Sequence, residues 1–327
     1  MSLRLHAVRQ AGFTLIEIMV SIMIFTVVGG AMMGILLLAT DLYRRGEAGR
    51  SANDEAVAVL AALDADLSRI VPPHDGGFFF STVWDADNAG GPDANGNTLV
   101  AFKTAARDRS TITDTGQGAR TIVAWWVDRF DNLRRAELAE TPTDNDPATD
   151  EDFNTLNAMF ATQAIEDAWP IVTSQCLHFG AWLSLGKDPR TSSLDWRSLS
   201  AQVDVPVAGT DYHCGGKGTD LFPESMRLTI ALTGGGRFAP TGFVVSDSGT
   251  DIRIAGLKGI PTIPGSMVRV GDEWVGYSGY TNGTLLCTTY TDPLVGRGQR
   301  RSTSSTHPVK TPVRLAQTYS LVRDLPR

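Results

Sequence analysis

A run of 23 residues without a formal charge, Ile18 to Thr40, constrains this chain more than any other feature. As a helix rising about 1.5 Å per residue it spans roughly 35 Å, enough for a hydrocarbon core about 30 Å thick. Ahead of it lies a short polar stretch, residues 1–12, with Arg4, His6 and Arg9. A secretory signal has a shorter apolar core and is cut after that core. Here Gly12 precedes the run, so a cut at Gly12 leaves the apolar helix on the mature protein. Glu17 stands at the head of the run. A carboxylate costs about 2.5–3.5 kcal/mol near the centre of a membrane helix and less toward its end, so a partner for it is expected. Gly30-x-x-x-Gly34, with Gly29 beside it, permits close helix approach, or reflects the ordinary frequency of glycine in membrane helices.

The segment Gly12-Phe13-Thr14-Leu15-Ile16-Glu17 resembles the class III signal of type IV pilins and type II secretion pseudopilins. The resemblance implies cleavage between Gly12 and Phe13 by a prepilin peptidase and methylation of the new Phe13 amine. It places Glu17 at the family's glutamate position. It also implies a single pass through the inner membrane, with the bulk of the chain in the periplasm or, after assembly, at the cell surface. The implied partners are other pilins, through the N-terminal helix, and an inner-membrane assembly platform. Charge alone does not orient the span, because Arg4 and Arg9 precede it while Arg44, Arg45 and Arg50 follow. In a staggered bundle, one subunit's Glu17 can neutralise a neighbour's terminal ammonium; pairing lowers the burial cost and sets axial register. The rival is a plain anchor with an interfacial glutamate.

Beyond Asp41 the helix continues. Ala56, Leu60, Leu63, Leu67 and Ile70 form one apolar stripe, opposite Asp54, Glu55, Asp64, Asp66 and Arg69, and Pro72-Pro73 ends it. Gly46 and Gly49 should loosen it. Strands follow at 98–102, 121–127, 176–185 and 225–232, with turn residues between. The fold class is α+β: a long N-terminal spine helix packed on an antiparallel sheet, with a small all-β module at the C-terminal end. The divisions are a leader at 1–12, a transmembrane and spine helix at 13–71, a sheet domain at 72–236 and a β module at 237–327. Leu63-Asp64-Ala65-Asp66-Leu67, the Trp125-Trp126 strand with Leu133-Arg134-Arg135, and residues 221–228 resemble the J-family pseudopilins and large minor pilins. The C-terminal stretch, about 252–320, resembles a small β module of some phage tail proteins through Gly271-Asp272-Glu273-Trp274, Arg297-Gly298, Thr303 and His307.

Lys+Arg 29 against Asp+Glu 36 gives a net charge of −7, which argues against a general nucleic-acid-binding surface. Arg297, Arg300 and Arg301 cluster, as a local basic patch or a solvated turn. Three cysteines suit an exported domain with at most one internal disulfide, and Cys176 with Cys214 is the preferred pair. Free thiols are one alternative. Zinc on Cys176, His178, His213 and Cys214 is another, because Cys176 and His178 would share a strand face. Asp85, Asp87, Asp93 and Asn95 alternate oxygen donors with glycine turns, as calcium loops do, without the spacing of an EF-hand. Ca2+ is thus a candidate ligand there, or the loop is a solvated Asx-rich turn; 144–152 is a second acidic loop. No nucleophile elbow, phosphate loop or zinc-protease signature occurs, so no enzyme is expected.

Overall fold

The computed structural model describes residues 14–72, 77–83, 98–105, 120–128, 130–139, 169–174, 176–184, 212–215, 218–219, 222–233, 241–257, 260–261, 266–287, 295–299, 302 and 304–326. Its one long helix, α1, runs from Leu15 to Leu67, unbroken through Gly29, Gly30, Gly34, Gly46 and Gly49. Two compact units divide within it, between Glu47 and Ala48. In the first unit the apolar side chains are exposed, Phe25 by 82%. In the second, Ala52, Ala56, Val59, Leu63 and Leu67 are buried and Leu60 packs at the flank of the same core. The stripe is the expected one, led by Val59 rather than Leu60.

The helix stops at Leu67, short of the prolines. Ser68 Oγ and Arg69 Nε take the carbonyl of Ala65, at 2.8 and 3.1 Å. The backbone then turns to a neighbouring strand: Val71 N–H donates to Lys103 and the Arg69 carbonyl accepts from Ala105, both at 2.9 Å. Sheet pairing therefore ends the helix before proline can.

All strand pairs are antiparallel. A seven-stranded sheet comprises β1 (Phe79–Val83), β2 (Thr98–Ala105), β3 (Arg120–Val127), β4 (Leu133–Ala139), β5 (Ile171–Thr173), β7 (Tyr212–Gly215) and β8 (Gly218–Thr219), in the order β5-β4-β3-β2-β1-β7-β8. A separate three-stranded sheet has β9 (Ser225–Leu232) between β6 (Cys176–Ser184) and β18 (Gln317–Asp324). The strands expected near 176 and 225 thus leave the sheet formed by those near 98 and 121. Both sheets share the main core with α1: Val100, Phe102, Val123, Trp125 and Val127 meet Phe179, Leu183, Leu228 and Ile230 beneath the helix stripe. The alternate residues Leu99, Ala101, Ile122, Ala124 and Trp126 are buried on the opposite face of the seven-stranded sheet. Burial on both faces explains why β2 and β3 read as nearly continuous apolar runs rather than alternating ones.

Asp66 is the main departure from the helical pattern. It was expected on the polar face, yet it is 0% exposed. Arg135 of β4 grips it with two bonds, Nε–Oδ2 at 2.7 Å and Nη2–Oδ1 at 2.9 Å. Trp125 Nε1 donates at 3.1 Å and Arg69 Nη2 at 2.8 Å. A carboxylate can be buried when every lone pair is met, and the planar fork of arginine meets two at once. The bond to Asp66 raises the pKa of Arg135 above its ordinary value. Asp66, Trp125 and Arg135 together clamp helix to sheet.

The remaining strands form an eight-stranded sheet: β10 (Thr241–Asp247), β11 (Asp251–Ala255), β12 (Ser266–Val270), β13 (Glu273–Tyr277), β14 (Gly279–Thr281), β15 (Thr284–Leu286), β16 (Gly296–Gln299) and β17 (Pro312–Arg314). Their order is β14-β15-β11-β10-β17-β12-β13-β16, with a core of its own around Val244, Ile254, Val268, Val275 and Val313. Asn282 and Gly283 have φ of 52° and 81°, the pair of positive values that a type I′ hairpin needs between β14 and β15. After β17 the chain leaves this sheet. β18 returns to β9 and pairs along its whole length, from Gln317 opposite Leu232 to Asp324 opposite Ser225. Trp274 packs on Leu177 and Ala231, with Met267 and Ala316 beside it. Asp131, at the β3–β4 turn, accepts Arg269 Nη1 at 2.8 Å and Arg314 Nη1 at 2.5 Å. An apolar contact and a shared carboxylate thus hold the eight-stranded sheet to the rest of the domain.

Candidate functional site

Glu17 lies in the first turn of α1. Its Oε2 accepts Thr14 N–H at 2.9 Å and Thr14 Oγ1 at 3.0 Å. Thr14-Leu15-Ile16-Glu17 is a capping box, in which the third-position carboxylate returns to the backbone amide of the cap residue. The sequence reading used Glu17 and overlooked Thr14, although the threonine-x-x-glutamate spacing was there to be read. Both bonds fall on one oxygen, so Oε1 faces outward with no partner among the described residues. An exposed carboxylate preorganised in this way can receive a cation. Gly12 and Phe13 lie outside the described residues. Around Glu17 the side chains of Leu15, Ile16, Ile18 and Met19 are exposed, and α1 is long and apolar enough to cross a membrane. At Gly29, Gly30 and Gly34 an added Cβ would meet nothing within 4 Å, so the small-residue surface is open in the single chain.

The preferred disulfide is not formed: Cys176, Cys214 and Cys287 are all buried and no bond joins them. Cys176 sits on β6 and Cys214 on β7, strands of different sheets. Burial pushes the Cys176 thiol up to about 12, and its Sγ donates to the His178 carbonyl at 3.3 Å. The shared face of Cys176 and His178 is also lost, because a β-bulge separates them where β6 pairs with β9. Cys176 enters the main core, whereas the His178 ring stands 5.9 Å from Trp182 and 5.9 Å from Trp274. Among the described residues no three His, Cys, Asp or Glu side chains gather as a metal site. Asp85, Asp87, Asp93 and Asn95 lie outside the described residues, as does the loop at 144–152.

Arg297, Gly298 and His307 of the C-terminal stretch converge on one buried carboxylate. Glu273 is 1% exposed. Its Oε1 accepts Arg297 Nε at 2.7 Å and Gly298 N–H at 2.8 Å. Its Oε2 accepts Arg297 Nη2 at 2.8 Å and Ser305 N–H at 3.0 Å, and lies 2.9 Å from His307 Nε2. Asp247 completes the group, accepting Arg297 Nη1 at 3.1 Å and His307 N–H at 2.9 Å. Burial alone would raise the Glu273 carboxyl, but these donors outweigh it and hold the pKa at about 2. Arg297 is correspondingly raised, with the bond to Glu273 as the main cause. Arg297 is therefore a half-buried ion-pair partner of Glu273 and Asp247. With both carboxylate oxygens fully engaged, the group staples Arg297, Gly298, Ser305 and His307 to β13 and leaves no lone pair for chemistry.

The Prokaryotic N-terminal methylation motif matches residues 8–33 of the chain. No curated protein and no solved structure matches it. The matched stretch contains Gly12, Phe13, the Thr14–Glu17 capping box and the apolar run as far as Met33. The chain therefore carries the prepilin-type signal of the type IV pilin and pseudopilin superfamily, a family of filament subunits rather than enzymes.

Proposed function

We propose that this chain is a minor pilin or pseudopilin of a type II secretion or type IV pilus filament, acting in assembly initiation or at the tip. The observation that carries the reading is Glu17, capped by Thr14 at the head of an exposed apolar helix and holding one carboxylate oxygen outward. Prepilin peptidase would remove residues 1–12 and methylate Phe13. The Phe13 ammonium of one subunit would then meet Glu17 of the next, which offsets the cost of both charges in an apolar bundle. The helix spans the inner membrane once, and the domain from Ala48 onward lies in the periplasm or at the cell surface after assembly. Other pilins and the inner-membrane platform are the partners. A minor role fits a chain of 327 residues, since a subunit repeated along a filament is usually smaller. Glu17→Ala is expected to insert in the membrane normally and to be missing from sheared filaments or tip complexes. Undiminished assembly of that variant would favour a membrane-anchored exported binding or adhesion protein instead.

A further inference from the structure

The eight-stranded sheet is inserted between β9 and β18, two strands in full antiparallel register. The end of that strand pair from which it emerges has a definite place along α1. A Cβ at Gly49 would lie 3.3 Å from Gln317 Nε2. Thr173, opposite Leu133 in the seven-stranded sheet, donates to Glu55 at 2.9 Å. Asp131, which holds Arg269 and Arg314 of the inserted sheet, precedes that same Leu133 by two residues. The opposite end of the domain lies further along the helix, where Arg323 pairs with Asp64 at 3.2 Å and Ile70 bridges Thr104. The insertion therefore sits where the chain enters the domain, not where the helix finishes. Eight residues, 41–48, link Thr40, the last of the uncharged run, to Gly49, a tether that at 3.3–3.6 Å per residue is at most roughly 30 Å long.

Charge is segregated to match. Residues 237–316 carry nine Lys/Arg against five Asp/Glu, a net +4, whereas residues 13–236 carry 16 against 30, a net −14. An anionic surface repels the second and attracts the first. The inserted sheet also shows apolar side chains beside exposed basic ones. In the turn before β17, Val309 is 63% exposed and is followed by exposed Lys310. On β10, Phe243 is 43% exposed, opposite Pro312, and Arg253 is exposed on the adjoining β11.

We propose that the inserted sheet docks on an anionic phospholipid surface, that of the membrane holding the anchor. Lys310 and Arg253 meet lipid phosphates, and Val309 and Phe243 enter the headgroup layer. The proposal rests on residues 18–40 being a membrane anchor. It is tested on the full chain carrying Val309→Cys, labelled with an environment-sensitive fluorophore while the three native cysteines are buried. The protein is reconstituted in vesicles of phosphatidylcholine alone or mixed with phosphatidylglycerol, each with brominated lipid as quencher. Quenching is expected in the mixed vesicles and not in the neutral ones. High salt, or Lys310→Glu with Arg253→Glu, should weaken it by about fivefold or more. A label that stays unquenched in both, on protein that floats with the vesicles, overturns the docking and leaves the anchor standing. Protein that does not float overturns the anchor and the proposal together. An unquenched label that cross-links to a second copy would also overturn it, assigning the basic sheet to a neighbour's acidic body.

Discussion

The two halves of α1 use similar residues for opposite ends. From Leu15 to Tyr43 the apolar side chains are exposed all round; from Ala52 to Leu67 they form one stripe and are buried. The second half already has its partner, the two sheets of the domain. The first half has none among the described residues. The charges differ in the same way. Asp66 is sealed by Trp125, Arg69 and Arg135, whereas Glu17 is held by Thr14 on one oxygen alone. A buried acid whose lone pairs are all filled is structural, and an exposed acid aimed by its own cap is available to a second molecule.

The largest expected effect is at the sealed acid. Asp66→Ala leaves buried Trp125 Nε1 and half-buried Arg135 without their shared acceptor and should cost about 3–5 kcal/mol of domain stability, read as a lowered midpoint in urea. If the loss is below about 1 kcal/mol, Asp66 is not the clamp described here. A paired substitution sharpens the contrast between the halves. Leu63→Ala should destabilise the domain by about 3 kcal/mol, whereas Leu36→Ala should leave the domain's midpoint unchanged because its side chain is 61% exposed. Equal effects would break the division at Glu47.

A third comparison sets the inserted sheet against the rest by acid. A carboxylate whose pKa is depressed from 4.5 to about 2 stabilises the fold above its ordinary value, and that contribution is lost as pH falls from about 4.5 to about 2. For Glu273 this amounts to about 3 kcal/mol. Protection factors of β13 and β16 amides, exchange rates corrected for the intrinsic pH dependence, should fall across that window in the native chain. In Glu273→Gln exchange should be faster already at neutral pH and change far less with acid. An acid response unaltered by the substitution would place the titrating group elsewhere.

Much of this was legible because it is written locally. The uncharged run, the leader and Glu17 are contiguous, and the stripe from Ala56 to Ile70 repeats with the helical period. Asn282-Gly283 announces its turn. What escaped was set by distant residues. Asp66 looks solvent-facing until Arg135, 69 residues on, is placed against it. The helix end at Leu67 depends on pairing with β2, which competes with the helix before Pro72 can act. Cys176 and His178 part because of a bulge, and a one-residue insertion leaves no trace in an alternating pattern. The return of β18 to β9 joins strands separated by the whole inserted sheet, and nothing in residues 317–324 names their partner. At the candidate site, the Thr14-x-x-Glu17 spacing is legible in the sequence, whereas the convergence of both bonds on one Glu17 oxygen is a matter of side-chain geometry.

The central claim is that the first half of α1 is a processed assembly helix, and the mass of the mature amino terminus tests it most directly. Intact-protein and peptide mass spectrometry of membrane-extracted protein should find a chain beginning at Phe13, heavier by one methyl group on its amine. A chain that still begins at Met1 in cells with an active prepilin peptidase, or one cut on the far side of the apolar run, would contradict the account.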